Sequence, residues 1–436
     1  MPSGPVPTGR GASLSKNHFD VIVVGGGPAG STAAYSLASA GVDVAIFDRA
    51  AFPRDKSCGG GLQAKVPLHL PLDVTPVVRN SLYGICFSRQ FGDRFTNRSH
   101  EPVVYGTLRR EFDSYLIEQA VRRGARLFER TRVTGFVQRA ERSVELSTDA
   151  GAFSCEALIG ADGANGVVRR ALNNELAFFN QAGLSFEIAR DRIVEERVDH
   201  QIMRVDWGTL PSGYAWIFPK GEFLNIGAGT PVAFSKRLKP YLSDFLRHER
   251  ILKTERIDLD ALQVSGHKLP SWTERTRLVD RNVLVIGDAA GLIEPLTGDG
   301  ISYGVQSARL AADVVARWLA GGASLSEYRE AVLRAIVPEL VSSRTLMTVF
   351  NAFPRMAHEV LKRNERIWQI LSRILRGEES YDSFRGMYVE RFNTLSKHLE
   401  RFTRFYETRR LGDPKESETL FQRAVRLTFG PILERV

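Results

Sequence analysis

The stretch Gly287-Asp288-Ala289-Ala290-Gly291-Leu292-Ile293-Glu294-Pro295-Leu296-Thr297-Gly298-Asp299-Gly300-Ile301 decides the fold when set beside a second glycine-rich segment far upstream, Gly25-Gly26-Gly27-Pro28-Ala29-Gly30. Either segment alone is a weak signal. The pair, in this order and at opposite ends of one domain, points to a flavin held in a split α/β domain.

Working outward from the upstream segment, Asp20-Val21-Ile22-Val23-Val24 is a short β-branched run suited to a buried parallel strand. It runs into Gly25-x-Gly27-x-x-Gly30, small residues follow (Ala29, Ser31, Ala33, Ala34), and Gly41 ends the helix. A second strand is expected from Val42 to Phe47, closing on Asp48, 18 residues beyond Gly30. Strand, glycine turn, helix, strand and acid at about this spacing form a dinucleotide-binding fingerprint. Gly25 permits the turn, Gly27 admits a pyrophosphate to the backbone, and Gly30 lets helix and strand pack closely. The phosphates then sit at the positive helix end, and Asp48 accepts hydrogen bonds from a ribose. The fingerprint alone does not separate NAD from FAD. Two later strands that also close on acid do: Ala157 to Gly160 before Asp162-Gly163, and Val283 to Ile286 before Gly287-Asp288. An acid after such a strand can bind a ribityl chain, and a helix starting near Gly298 to Gly300 can aim N–H groups at an isoalloxazine. Three such elements on one extended cofactor suit FAD.

Composition bounds the rest. The 436 residues allow two or three domains, and 43% apolar with 25% charged residues is the balance of a soluble globular protein. No apolar run reaches the roughly 18 residues of a membrane span. The segment 1–17 is rich in Pro, Gly and Ser and reads as a disordered tail without a signal-peptide core. Cys58, Cys86 and Cys155 are too few and too scattered for a disulfide framework or a zinc site, which fits a reducing cytosol. Net charge is +9, and residues 331–436 carry 19 Lys and Arg against 13 Asp and Glu. That excess suits anionic lipid, nucleic acid or a merely solvated helical surface. No nucleic-acid-binding signature accompanies it, so nucleic acid is not expected as a partner.

With these motifs in view, the chain resembles the FAD-dependent para-hydroxybenzoate hydroxylase superfamily, and within it the geranylgeranyl reductase family. The closer resemblance rests on Phe52-Pro53-Arg54-Asp55-Lys56-Ser57-Cys58-Gly59-Gly60, on Arg109 before Phe112-Asp113, and on Tyr214-Ala215-Trp216-Ile217-Phe218-Pro219. It continues through Asn225-Ile226-Gly227-Ala228-Gly229 and Pro295-Leu296-Thr297-Gly298-Asp299-Gly300-Ile301. In the last motif Asp299 stands where the family more usually has Glu. The last hundred residues carry no family motif. The cofactor-binding set is Gly25, Gly27, Pro28, Ala29, Gly30, Asp48, Arg49, Lys56, Gly59, Gly60, Arg109, Val133, Asp162, Gly163, Gly287, Asp288, Pro295, Gly298, Gly300 and Ile301.

Tyr214, Trp216 and Phe218 alternate along a strand and so share one face. By analogy they line a lipid tunnel beside the flavin, since an isoprenoid offers only apolar contacts; an ordinary aromatic core strand is the plain alternative. The resemblance implies that Cys58 lies near the flavin, where a thiol can position substrate or supply a proton; it could equally be a small buried hydrophobe. Tyr214, Cys58 and bulk water remain open as the proton source. Cys58, Tyr214 and Trp216 form the catalytic set, and Tyr214, Trp216 and Phe218 the substrate-binding set. Arg109 opens an amphipathic helix and is expected at the FAD phosphates, with surface solvation the alternative for it and for Lys56. His267 reads as a loop residue.

The expected architecture is α/β: a discontinuous Rossmann-like FAD-binding domain (18–76, 101–172, 274–321), an inserted antiparallel β-sheet substrate or lid domain (77–100, 173–273) and a C-terminal helical region (322–436). There Val360, Leu361, Ile367, Trp368, Leu371, Ile374 and Leu375 trace one helical face near Arg363, Arg366, Arg373 and Arg376. Such a helix packs on the enzyme or lies on membrane. The resemblance implies a reductase of carbon–carbon double bonds in an isoprenoid chain, with NADPH or a small electron carrier as reductant. An isoprenoid lipid or prenylated small molecule is the expected partner, and the expected location is cytoplasmic with one side on the inner membrane face. The rivals are a flavin monooxygenase or halogenase on the same scaffold, and a redox-inert flavin-bound scaffold.

Overall fold

The computed structural model describes residues 17–172, 180–254, 257–352 and 354–384. The first crossover is β1 (His18–Val24), α1 (Pro28–Ser39) and β2 (Val44–Phe47). Then come β3 (Gly61–Gln63), α2 (Val66–His69), β4 (Asn80–Leu82), β5 (Gly84–Arg89), β6 (Gly92–Arg98) and β7 (Val104–Gly106). The chain continues through α3 (Arg109–Arg122), β8 (Arg126–Phe128), β9 (Val133–Ala140), β10 (Ser143–Thr148), β11 (Gly151–Gly160) and α4 (Val167–Leu172). A second unit holds β12 (Asn180–Ala189), β13 (Ile202–Trp207), β14 (Tyr214–Lys220), β15 (Phe223–Pro231), α5 (Leu238–Glu249) and β16 (Ser265–Pro270). The chain returns through β17 (Val279–Asp280), β18 (Val283–Val285) and α6 (Ile301–Leu319) to α7 (Ser326–Ala335), α8 (Val337–Ala352), α9 (Pro354–Arg363) and α10 (Glu365–Arg376).

The cofactor sheet runs β17-β18-β11-β1-β2-β8, with β9 and β10 attached to β11. β1 sits centrally and pairs in parallel with β11 and with β2. Val21, Ile22 and Val23 are fully buried, as an unbroken β-branched run requires with helices on both faces. The parallel register brings Val24, Gly160 and Val285 to one edge. Asp162 and Asp288 therefore emerge beside the first glycine turn, in the crevice at the carboxyl ends of the strands. Gly25 turns there with φ of +105°, and a Cβ on it would lie 2.4 Å from the Ala161 carbonyl oxygen. The β2 strand begins at Val44, two residues later than the sequence suggests.

The second sheet runs β16-β12-β15-β14-β13-β5-β6. It is antiparallel except where β5, from the early part of the chain, lies parallel to β13. One face packs Ile217, Leu224 and Ile226 against Tyr241, Leu242 and Phe245 of α5. The opposite face turns toward the cofactor unit and the C-terminal helices.

Those helices differ from expectation in one respect. Asn364 adopts an extended conformation and its side chain accepts from the Ile367 N–H, capping a new helix. The single apolar face read from Val360 onward is thus two helices, and Val360 is 41% exposed. α10 packs on the enzyme: Trp368 and Leu375 join Leu82, Ile85, Phe87 and Met203 in one cluster, and the Trp368 indole donates to the Arg98 carbonyl at 2.7 Å. Arg373 and Arg376 are engaged with Glu378 and Glu379 or Glu101. Residues beyond 384, including most of the basic tail, lie outside the described residues.

Candidate active site

α1 begins without a side-chain cap at Gly27 and carries proline in its first turn, so its first N–H groups face the crevice without a competing side-chain acceptor. Gly27, Pro28 and Ala29 line a cavity of about 1120 Å³. Gly30 packs behind them: a Cβ there would fall 1.9 Å from the Gly25 carbonyl oxygen. Asp48 accepts from the Gly26 N–H at 2.8 Å and from the Ala50 N–H at 2.9 Å, which ties the end of β2 to the glycine turn. Arg49 is exposed, and Val133 is 8% exposed at the base of β9, packed in the sheet core and not on the cavity. Asp162 accepts from the Val168 N–H at 2.7 Å, while its other carboxylate oxygen is buried without a partner. Burial pushes this carboxyl up to about 6 against the pull of the Val168 and Arg169 N–H groups.

Asp288 lines the cavity. Burial works against its charge, but Lys56 at 3.5 Å and His267 at 3.5 Å hold it well below the usual carboxylate range. Lys56 is therefore a cavity residue. His267, read as a loop residue, is on β16 and lines the cavity. Gly300 leaves room for Asp288, since a Cβ there would sit 3.0 Å from its carboxylate. Pro295, Gly298 and Ile301 line the cavity beside it. Arg109 is 6% exposed and makes two 2.8 Å bonds to Asp113. Burial disfavours its charge, but Asp113 and the Cys58 sulfur outweigh that and raise it. Arg109 and Cys58 both line the cavity. Arg54 bridges the halves, 3.3 Å from Asp113 and 3.8 Å from Asp48.

Beyond the Asp288 crevice the cavity turns apolar. Tyr214, Trp216 and Phe218 all line it, with successive ring centroids 5.7 and 6.0 Å apart. Gly227 on β15 makes room for the indole: a Cβ there would lie 2.3 Å from the Trp216 ring. Tyr214 donates to the Thr297 carbonyl at 2.6 Å, and burial pushes its hydroxyl above the usual phenol range. The far wall comes from α8 to α10, through Met347, Phe350, Ala357, Leu361, Trp368 and Leu371. Cys58 faces the cavity beside these aromatics: a Cβ on Gly59 would lie 2.9 Å from the Phe218 ring.

A polar cluster supports this wall. Asn225, 1% exposed, accepts from the Trp216 indole at 2.7 Å and donates to the Cys58 carbonyl at 3.0 Å and to Glu187 at 3.1 Å. Glu187 also accepts from Lys220, which is fully buried, at 2.7 Å. The sequence motifs drew attention to Asn225 only as part of a string, and to Lys220 and Glu187 not at all. Lys220 could have been found by period, since it continues the Tyr214, Trp216, Phe218 face of β14. Arg54 was visible only as a motif letter. Lys65, 6% exposed and 3.1 Å from the Tyr303 hydroxyl, had no motif to mark it.

Uncapped α1, Asp162 with a buried unpartnered oxygen, and the glycine approaches at Gly27 and Gly300 fit FAD laid from the α1 turn to the Asp288 crevice. Fold and site together define an FAD-dependent oxidoreductase. A family model described as FAD binding domain matches residues 79–335, and one described as FAD dependent oxidoreductase matches residues 20–64. The chain is 33% identical over 323 residues to a menaquinone reductase of Mycolicibacterium smegmatis, covering 68% of this chain and 76% of that one. It is 30% identical over 310 residues to digeranylgeranylglycerophospholipid reductase 1 of Methanosphaera stadtmanae, covering 68% and 75%. A geranylgeranyl bacteriochlorophyll reductase-like structure from Thermoplasma acidophilum shares the fold with a TM-score of 0.71 at 22% identity, covering 86% of this chain and 99% of that one. The chain belongs to the geranylgeranyl reductase family of FAD-dependent oxidoreductases.

Proposed function

We propose that the protein saturates carbon–carbon double bonds in the isoprenoid chain of a lipid or prenylated small molecule. The observation that carries this reading is the apolar arm of the cavity, in which Tyr214, Trp216 and Phe218 face the α8 to α10 wall while the Cys58 turn marks its junction with the Asp288 crevice. Such a chain is held by dispersion and desolvation, which this lining supplies and a polar substrate would not use. The names of the relatives in the family support the same substrate class. Bound FAD, reduced by NADPH or a small electron carrier, supplies the hydride. The protein's part is to exclude water, align the alkene and deliver a proton. As the π bond breaks, one carbon gains the hydride and the other gains a proton, so each turnover adds two hydrogens. We assign the proton to the Cys58 thiol, which lines the cavity with Arg109, gives its proton to the second carbon and regains one from water. Tyr214 is less suited: its hydroxyl is committed to the Thr297 carbonyl and burial weakens it as an acid.

The test is to incubate anaerobically reduced protein with geranylgeranyl diphosphate and with a lipid extract, and to read the products by mass. Gains of two hydrogens or multiples of two support the reading, and Cys58→Ser should retain FAD while saturating fewer bonds. Flavin that reduces readily, leaves prenyl chains untouched and consumes oxygen to hydroxylate or halogenate another molecule would overturn it in favour of a monooxygenase or halogenase.

A further inference from the structure

Asn225 ties the cavity's aromatic strand to its Cys58 turn. Its amide accepts from the Trp216 indole and donates to the Cys58 carbonyl. An amide that serves both directions must hold one orientation, and Glu187 fixes it by accepting the remaining N–H. Glu187 in turn is fixed by Lys220, whose ammonium is wedged under the same turn: a Cβ on Gly60 would lie 2.3 Å from it. A fully buried ammonium is expensive unless paired, so this one is retained with its partner. The chain Lys220, Glu187, Asn225 therefore ends on two groups, the Trp216 ring and the Cys58 main chain, which stand on different units of the fold.

We propose that Asn225, buttressed by Glu187 and Lys220, is a positioning residue that sets the distance between Cys58 and Trp216 and so fixes which carbon of a bound chain lies at the proton donor. This rests on the reading of the cavity as a prenyl-chain site. Asn225 is not among the residues that line the cavity; it acts through the two groups it holds. Ser57, bonded to Ser185 at 3.2 Å and to the Ser265 carbonyl at 3.0 Å, anchors the neighbouring residue independently. Loss of Asn225 should thus loosen the Cys58 turn locally and leave the loop attached.

The experiment uses the FAD-loaded full chain. Asn225→Leu removes both links; Asn225→Asp keeps the acceptor for Trp216, loses the N–H groups for Cys58 and Glu187 and sets a second carboxyl against Glu187, and is the second variant if the first does not fold. The first readout is the rate of alkylation of Cys58 by iodoacetamide, mapped by peptide mass, with half-buried Cys86 as the internal reference. Both variants should raise the Cys58 rate about tenfold, the order expected when a buried hydrogen bond no longer holds the turn closed. Trp216→Phe, which breaks only the indole link, should raise it less. The second readout is kinetic: kcat should fall about tenfold with KM nearly unchanged, and products should shift to partial saturation, because the apolar arm still binds the chain but presents it out of register. An unchanged Cys58 rate in folded Asn225→Leu or Asn225→Asp overturns the proposal, as does a pure KM effect. Wild-type protein that saturates no prenyl chain defeats the substrate reading instead, and the alkylation rates then decide the positioning role alone.

Discussion

Asp162 shows how a residue legible by its place after a strand carries a charge state the sequence does not show. Its spacing identifies it, but the closeness of Gly166, where a Cβ would strike the carboxylate carbon at 1.8 Å, is a matter of packing. Burial raises the carboxyl from 3.8 to about 6. Between those values the folded protein holds a proton that the unfolded chain has released. This group's contribution to stability is therefore complete below the unfolded value and is lost as pH rises through about 6. A shift of two units amounts to about 3 kcal/mol at most. Asp162→Asn keeps an acceptor for the Val168 N–H and cannot ionise. In denaturant unfolding of the flavin-free protein, wild type should lose stability relative to Asp162→Asn from about pH 4 to about pH 6.5 and hold a constant difference above that. A difference that stays flat across the whole range would mean that the buried carboxylate carries no such penalty. Other site residues were legible for simpler reasons: Asp288 closes a strand, and Tyr214, Trp216 and Phe218 alternate. Asn225 was not, because nothing local distinguishes an amide that joins two units from one that faces solvent.

At the scale of elements, the C-terminal helices were visible as helices and not as a wall. Their period follows from backbone geometry, but their partner does not, because Trp368 on α10 meets Phe87 on β5 across most of the chain, with centroids 6.4 Å apart at 79°. The break at Asn364 is a capping event that the apolar pattern alone runs through. Trp368 is 4% exposed, and its truncation should combine lost burial with a cavity opening into the apolar arm. Trp368→Ala is expected to cost about 3–5 kcal/mol in unfolding free energy. It should also raise KM for a prenyl substrate while FAD content stays near wild type, since the buried cluster around Trp368, with Leu82, Ile85, Phe87 and Met203, holds none of the expected cofactor residues. Retained stability would show that α10 only rests on the sheet. A loss of flavin in a folded variant would show that the wall also supports the cofactor unit.

For the whole molecule, strand order follows from motifs that must meet: three acid-terminated strands and the strand that feeds the first glycine turn have to lie parallel in one sheet around one cofactor, and the order β18-β11-β1-β2 satisfies that. The return of β5 to pair with β13 had no such motif and depends on long-range sheet closure. How the proposed prenyl substrate would reach the cavity is likewise a property of the whole surface. No helix among the described residues is long and apolar enough to cross a membrane. The chain is nonetheless basic, with a net charge of +9. Val232 is 38% exposed in the turn Val232–Arg237, where it borders the cavity beside Lys236 and Arg237. An apolar side chain flanked by cations at a cavity edge suits a bilayer carrying anionic lipid, each surface cation contributing about 1 kcal/mol at low salt. The protein should therefore sediment with phosphatidylglycerol vesicles at low ionic strength and be released near 1 M salt, where the Debye length falls to about 3 Å. Lys236→Glu with Arg237→Glu should weaken that binding while leaving FAD content unchanged. Equal binding to neutral vesicles would make the contact apolar and not electrostatic. No binding to either would mean that the lipid reaches the cavity without the protein docking on the bilayer.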